Sequence, residues 1–264
     1  MATEPLPINT FPSMTHGVRI MNIFRLLAST LLTLPLVASA APELNVGALY
    51  DYIDGDKSTL LKRVRNSGDT TAFVKVSVAE LVYDATGVAR EIVTDGLPLE
   101  QRGLVASPAR LIVPAQGMQA VRLLYRGSRE QERYFRLRFV PVLPEQGDGF
   151  MVDEQEAEKY RDSLKAGVNL LAGYGSLLFV RPAETRYQTH VGRAGGQLTV
   201  VNQGNATVVL DHFRLCQAAG QKCGPATKHH ILPGRTRQFD GQVGKVHQLE
   251  LIEGGNAKAM VVEG

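Results

Sequence analysis

One pattern occurs twice in this chain and restricts its fold more than any other feature. Leu60–Arg65 runs into Asn66-Ser67-Gly68-Asp69 and out again through Thr70–Val78. Gln197–Val201, then Asn202-Gln203-Gly204-Asn205, then Ala206–Leu210 repeats the arrangement. Each copy reads as strand, turn, strand, with Asn and Gly expected to supply the positive-φ positions of the turn. Two copies imply two similar β domains in tandem. Further short runs bounded by turn residues place first-domain strands near 44–53, 59–66, 72–82, 108–113, 117–125, 133–142 and 164–180. Seven strands at such spacing suit an immunoglobulin-like sandwich. The fold class expected is therefore all-β, two immunoglobulin-like β-sandwich domains. Pro182 fixes its own φ and restricts Arg181, so Arg181-Pro182-Ala183-Glu184 reads as a stiff elbow between a first domain at 41–181 and a second at 182–264.

The first forty residues belong to neither domain. Arg25, the apolar run Leu26–Val37 and Ala38-Ser39-Ala40 have the order of a secretory signal peptide, with cleavage expected after Ala40. Residues 1–20 read as lying upstream of the true start. The apolar run is too short for a membrane-spanning helix, so the mature chain is expected to be soluble and exported. In an oxidising compartment the two cysteines, Cys216 and Cys223, are best read as a disulfide closing a short Gly-containing loop. Zinc would need two more ligands, for which His212, His229 and His230 are near in sequence.

Leu164, Ala166, Val168, Leu170 and Ala172 alternate with Lys165, Gly167, Asn169 and Leu171. As a strand, this segment carries the first set on one apolar face. An acidic segment, Glu145–Asp162, precedes it and reads as a solvated, mobile loop; a helical turn fits within Glu154–Leu164, but nothing there demands one. A long strand fed by such a loop, at the border of two β domains, is well placed to be lent to a partner.

Little else in the chain suggests chemistry. The formal charge is only +3 and the arginines are spread over several strands, which argues against a nucleic-acid footprint. Hydrolase, zincin, P-loop and dinucleotide motifs are missing from any usable context. The acidic group Asp148, Asp153, Glu154, Glu156 and Glu158 lacks the oxygen-ligand spacing of a calcium loop. Adjacent His229 and His230 point apart, with solvent exposure the default reading. No catalytic residue, metal or cofactor is nominated, and the chain is read as a non-enzyme.

Ser107-Pro-Ala-Arg-Leu-Ile-Val-Pro-Ala-Gln-Gly-Met-Gln-Ala-Val-Arg-Leu123, followed by Arg133-Tyr-Phe-Arg-Leu-Arg-Phe139, resembles the periplasmic fimbrial chaperones, and more narrowly the alpha-fimbrial, or class 5, chaperone–usher type. Val168–Leu171 falls where that family has its donor strand, Asn202–Asn205 at its second-domain turn, and Cys216…Cys223 at its second-domain disulfide. The resemblance implies an L or boomerang arrangement of the domains in the periplasm. A pilin subunit would be capped by donor-strand complementation through Leu164, Ala166, Val168, Leu170 and Ala172, then delivered to an outer-membrane usher. It also allows self-association of the free protein. The better-known branch of the family anchors the pilin carboxylate with an Arg and a Lys; Tyr50 and Leu177 stand at those positions here, and the resemblance to the alpha-fimbrial branch, in which arginines are expected at Arg63 and Arg136, implies these two as the candidate anchor. The competing reading is a secreted β-sandwich structural protein, a pilus subunit or adhesin. Such a subunit would carry its own donor extension, whereas Ala41–Tyr50 runs directly into the first strand.

Overall fold

The computed structural model describes residues 41–145, 147–150, 152–165, 171–194, 196–217 and 220–263. The signal-peptide reading of residues 1–40 lies outside them. Four sheets form two sandwiches. In the first, β1 (Leu44–Asn45), β3 (Thr59–Asn66), β8 (Met118–Tyr125) and β6 (Leu104–Ser107) make one sheet. The other runs β2 (Tyr50–Ile53), β10 (Tyr174–Val180), β9 (Arg133–Pro141), β4 (Ala72–Tyr83) and β5 (Ala89–Val93), with β7 (Arg110–Val113) also on β4. Alternation fills the space between them: Val64, Val121 and Leu123 from one sheet meet Val76, Phe135, Leu137, Phe139 and Leu178 from the other.

The second sandwich pairs β11 (Thr189–Ala194), β12 (Gln197–Asn202) and β15 (Thr236–Asp240) against β14 (Thr227–Ile231), β13 (Val208–Cys216), β16 (Val246–Glu253) and β17 (Asn256–Glu263). Leu198, Val200, Val208, Leu210, Ile231 and Leu249 form its core. Both sandwiches lie within one compact unit, Ala40–Gly264. The all-β, two-sandwich fold read from the sequence is borne out.

The repeated turn exists, but its chemistry differs from the expectation. Neither Asn66, Gly68, Asn202 nor Gly204 has a positive φ. Asn66 and Asn202 are instead fully buried and bond the backbone. Asn66 Nδ2 donates to the Thr70, Val113 and Pro114 carbonyls, and its Oδ1 accepts from the Glu43 and Gly68 amides. Asn202 Nδ2 donates to the Ala206 and Ile231 carbonyls at 2.9 Å each, and its Oδ1 accepts from the Gly204 amide. The glycines are there for space: a Cβ at Gly68 would strike the Ala41 carbonyl, and one at Gly204 the Arg186 carbonyl.

Two strand expectations need correcting. The single strand at 44–53 is β1 and β2, in different sheets, separated around Gly47 at φ +70°. The strand expected at 164–180 is shorter: α1 (Glu154–Lys165) occupies part of the segment read as a mobile loop, and β10 begins only at Tyr174. Asp153 caps α1, its Oδ1 accepting from the Glu156 amide at 2.8 Å.

Candidate functional site

The edge of β10 is where the first sandwich is incomplete. Along one side β10 pairs with β9 over all of Tyr174–Val180. Along the other, the parallel ladder to β2 covers only Leu177–Val180, and the Leu177 amide donates to the Leu49 carbonyl. Beside Tyr174, Gly175 and Ser176 no described strand continues that ladder. Ser176, Leu178 and Val180 are buried, and Tyr174 packs against the same core, so even-numbered positions of β10 face inward.

The residues singled out from the sequence fall around this edge unevenly. Leu164 lies in α1 rather than in a strand. Ala166, Val168 and Leu170 lie outside the described residues, and Ala172 is exposed two residues before β10. Arg63 and Arg136 do not come together. Their neighbours Val64 and Leu137 point into one shared core, so the two arginines stand on opposite outer faces of the sandwich. Arg136 pairs with Glu91, which Arg138 also holds, at 2.6 Å. Tyr50, Leu177 and Arg136 form one cross-strand row over β2, β10 and β9. Cys216 and Cys223 are joined as a disulfide.

Sequence reading missed the junction between the sandwiches. Glu132, just before β9, is a buried carboxyl. Its Oε2 accepts from the Thr207 amide at 2.9 Å, the Thr207 hydroxyl at 2.5 Å and the Tyr134 hydroxyl at 2.9 Å. Burial still outweighs these donors and pushes the Glu132 carboxyl above the usual carboxylate range. At the same junction, His230 stacks on Phe179 at 5.0 Å between centroids and bonds the Tyr52 hydroxyl through Nε2 at 2.8 Å. Burial lowers its pKa to about 4. The two histidines do point apart, as expected, but neither is simply solvated: His229 packs on Phe213 and Phe239.

Arginines tie the elbow. Arg181 pairs with Asp54 and lies over the Tyr52 ring, while Arg129 Nη1 donates to the Asp54 and Arg181 carbonyls. Across the cleft, Arg235 donates to the Asp84 and Ala85 carbonyls at 2.5 Å each. A cleft of about 500 Å³ opens here, lined by Glu80, Tyr83, Glu130, Arg133, Leu232 and Arg235. Glu80 and Arg133 neutralise each other. The only advance signal for this junction was polar and aromatic residues at strand ends, a pattern without a period. Among the described residues no group of three or more His, Cys, Asp or Glu is arranged to hold a metal.

No family model matches the chain. It is 29% identical over 204 residues to the probable fimbrial chaperone EcpB of Escherichia coli O139:H28 (strain E24377A), spanning 76% of this chain and 82% of the relative. The same identity and coverage hold for the EcpB of Shigella boydii serotype 4 (strain Sb227). Among solved structures, the class 5 fimbriae chaperone CfaA matches with a TM-score of 0.53 at 19% identity, covering 84% of this chain and 99% of that one. The E. coli chaperone DraB matches with a TM-score of 0.51 at 18% identity, over 85% and 98%. The chain thus has the two-sandwich fold of the fimbrial chaperones and is a sequence relative of them, as the Ser107–Leu123 stretch suggested.

Proposed function

We propose that this chain is a periplasmic assembly chaperone, a binding protein without catalysis, of the alpha-fimbrial type. It caps pilin subunits by donor-strand complementation and delivers them to an outer-membrane usher. The observation that carries this reading is the β10 edge, open beside Tyr174–Ser176 and closed by β2 only from Leu177 onward. A pilin short of one strand exposes an apolar groove and unpaired edges, and an open edge of this kind can pair with them. Extended as a strand in the complex, the segment ahead of β10 would carry Ala172, Leu170, Val168 and Ala166 on the face that the buried residues of β10 share, and Leu164 would join them once the end of α1 unwinds. Those side chains would fill the groove. Kinship to EcpB supports the reading from the sequence side.

In the same reading the domains divide at 181/182, the chain reaches the periplasm through the 1–40 segment, and Arg136 is the stronger carboxylate anchor. It stands in the Tyr50–Leu177 row, where a subunit carboxylate would take the place of Glu91, whose two oxygens bridge Arg136 and Arg138. Arg63, on the far face, would contribute to that anchor only by long-range charge.

The test is co-expression with a candidate pilin subunit and purification through a tag on the chaperone. Wild type should yield a soluble stoichiometric complex. Leu170→Glu should abolish it with the chaperone's melting temperature unchanged, and Arg136→Ala should weaken it about tenfold or more, the loss typical of one charged hydrogen-bond partner. A complex that survives Leu170→Glu would refute strand donation. A monomer that captures no pilin and binds host surfaces would favour the adhesin alternative.

A further inference from the structure

Phe73 projects from the outer face of β4, since Ala72, Val74 and Val76 on either side of it point into the core. An aromatic side chain on that face would ordinarily be left in water, yet Phe73 is only 6% exposed. Two rings from the segment after β9 cover it. Phe150 meets it edge-on at 5.5 Å and 90°, and Tyr160 of α1 at 4.8 Å and 72°, with Val142 and Val152 packed around them. Such pairs each contribute beyond simple area burial.

The acidic residues of this segment hold the rings in place. Asp148 accepts from the Glu145 amide through Oδ2 at 2.7 Å and from the Phe150 amide through Oδ1 at 3.0 Å, which fixes the turn that aims Phe150. Asp153 caps α1, and Ala157, one turn before Tyr160, is buried on the same side. Arg161 and Glu154 pair along the helix at 2.8 Å.

We propose that Phe73, Phe150 and Tyr160 form an intramolecular clasp. It docks α1, which leads toward β10, on the chaperone's own surface and must open for the donor set to be donated in full. The proposal rests on the strand-donation reading above. Its geometric basis is the overlap of α1 with the donor set. Leu164, the first residue of the donor set, lies within α1 one turn after Tyr160, so its donation in an extended strand requires α1 to unwind and draws Tyr160 away from Phe73.

Limited trypsin cleavage after Lys159 and Arg161 and hydrogen exchange of the 154–162 amides test this on the full mature chain. Tyr160→Ala should speed both about tenfold in the free protein, with the β-sheet amides unchanged, and Tyr160→Phe should restore wild-type rates. With the co-expressed pilin bound, wild-type α1 should lose protection. Tyr160→Ala should capture added pilin faster and reach the same final yield. Equal cleavage of wild type and Tyr160→Ala would overturn the clasp. Protection of α1 retained in the complex would overturn its competition with donation. Capture of pilin by neither protein would instead overturn the chaperone reading, while the cleavage difference still measured the clasp.

Discussion

Glu132 and His230 meet at the same junction and titrate in opposite senses. Burial raises the Glu132 carboxyl, so its folded form favours the proton; its contribution is full below the ordinary carboxylate pKa and is lost as pH rises through the raised value. His230 is held neutral, with its pKa lowered from 6.5 to about 4. Its contribution is full above 6.5 and is lost as pH falls toward about 4. Thr207, Tyr134 and Arg181 surround Glu132, while Tyr50, Tyr52 and Phe179 enclose His230, with Lys228 and Asp211 acting on it at longer range. Glu132→Gln should therefore melt higher than wild type at pH 8, the gain vanishing near pH 4. His230→Phe should remove the acid-side loss between pH 6.5 and 4. Melting curves across that range check both, and a Glu132→Gln protein less stable at pH 8 would show that the charged form is the favoured one.

At the scale of elements, what the sequence reveals depends on whether the signal is periodic. Phe135, Leu137 and Phe139 alternate and all three are fully buried, so β9 is legible in the sequence alone. The repeated turn was legible as a turn, but its mechanism was not. An asparagine that bonds the backbone through its side chain and one that supplies a positive φ look the same in a sequence. The helix α1 reads in the sequence only as a turn that fits within Glu154–Leu164, because acidic residues conceal two usable marks. Asp153 and Glu156 have capping-box spacing, and Ala157, Tyr160 and Leu164 recur at helical intervals. The disulfide was legible from compartment and spacing. Cys216 lies at the end of β13 and is fully buried, so the clip holds the strand end against the Cys223 loop. Cys216→Ala should cost the second sandwich about 2–5 kcal/mol, read as a shift in its denaturant midpoint. An unchanged midpoint would mean that the β13–β16 ladder alone fixes that end.

For the whole molecule, the sequence yielded two sandwiches but not the contacts that join them. Glu132 reaches Thr207, Tyr52 reaches His230 and Arg235 reaches the Asp84–Ala85 turn, each across 75 or more positions of chain and between strand ends without a shared period. These bonds place the start of the second sandwich against the outer side of β2 and β10, close to the edge that β2 leaves open. The chaperone account makes one claim above all, that residues 166–176 become a strand of the bound subunit. Hydrogen exchange of those amides in the free chain and in the co-purified pilin complex measures it directly. The account predicts that exchange across 166–176 slows at least about a hundredfold on capture, as new ladder hydrogen bonds form on the open side of Tyr174–Ser176. Unchanged exchange in a stable complex would contradict it and place the subunit on another surface.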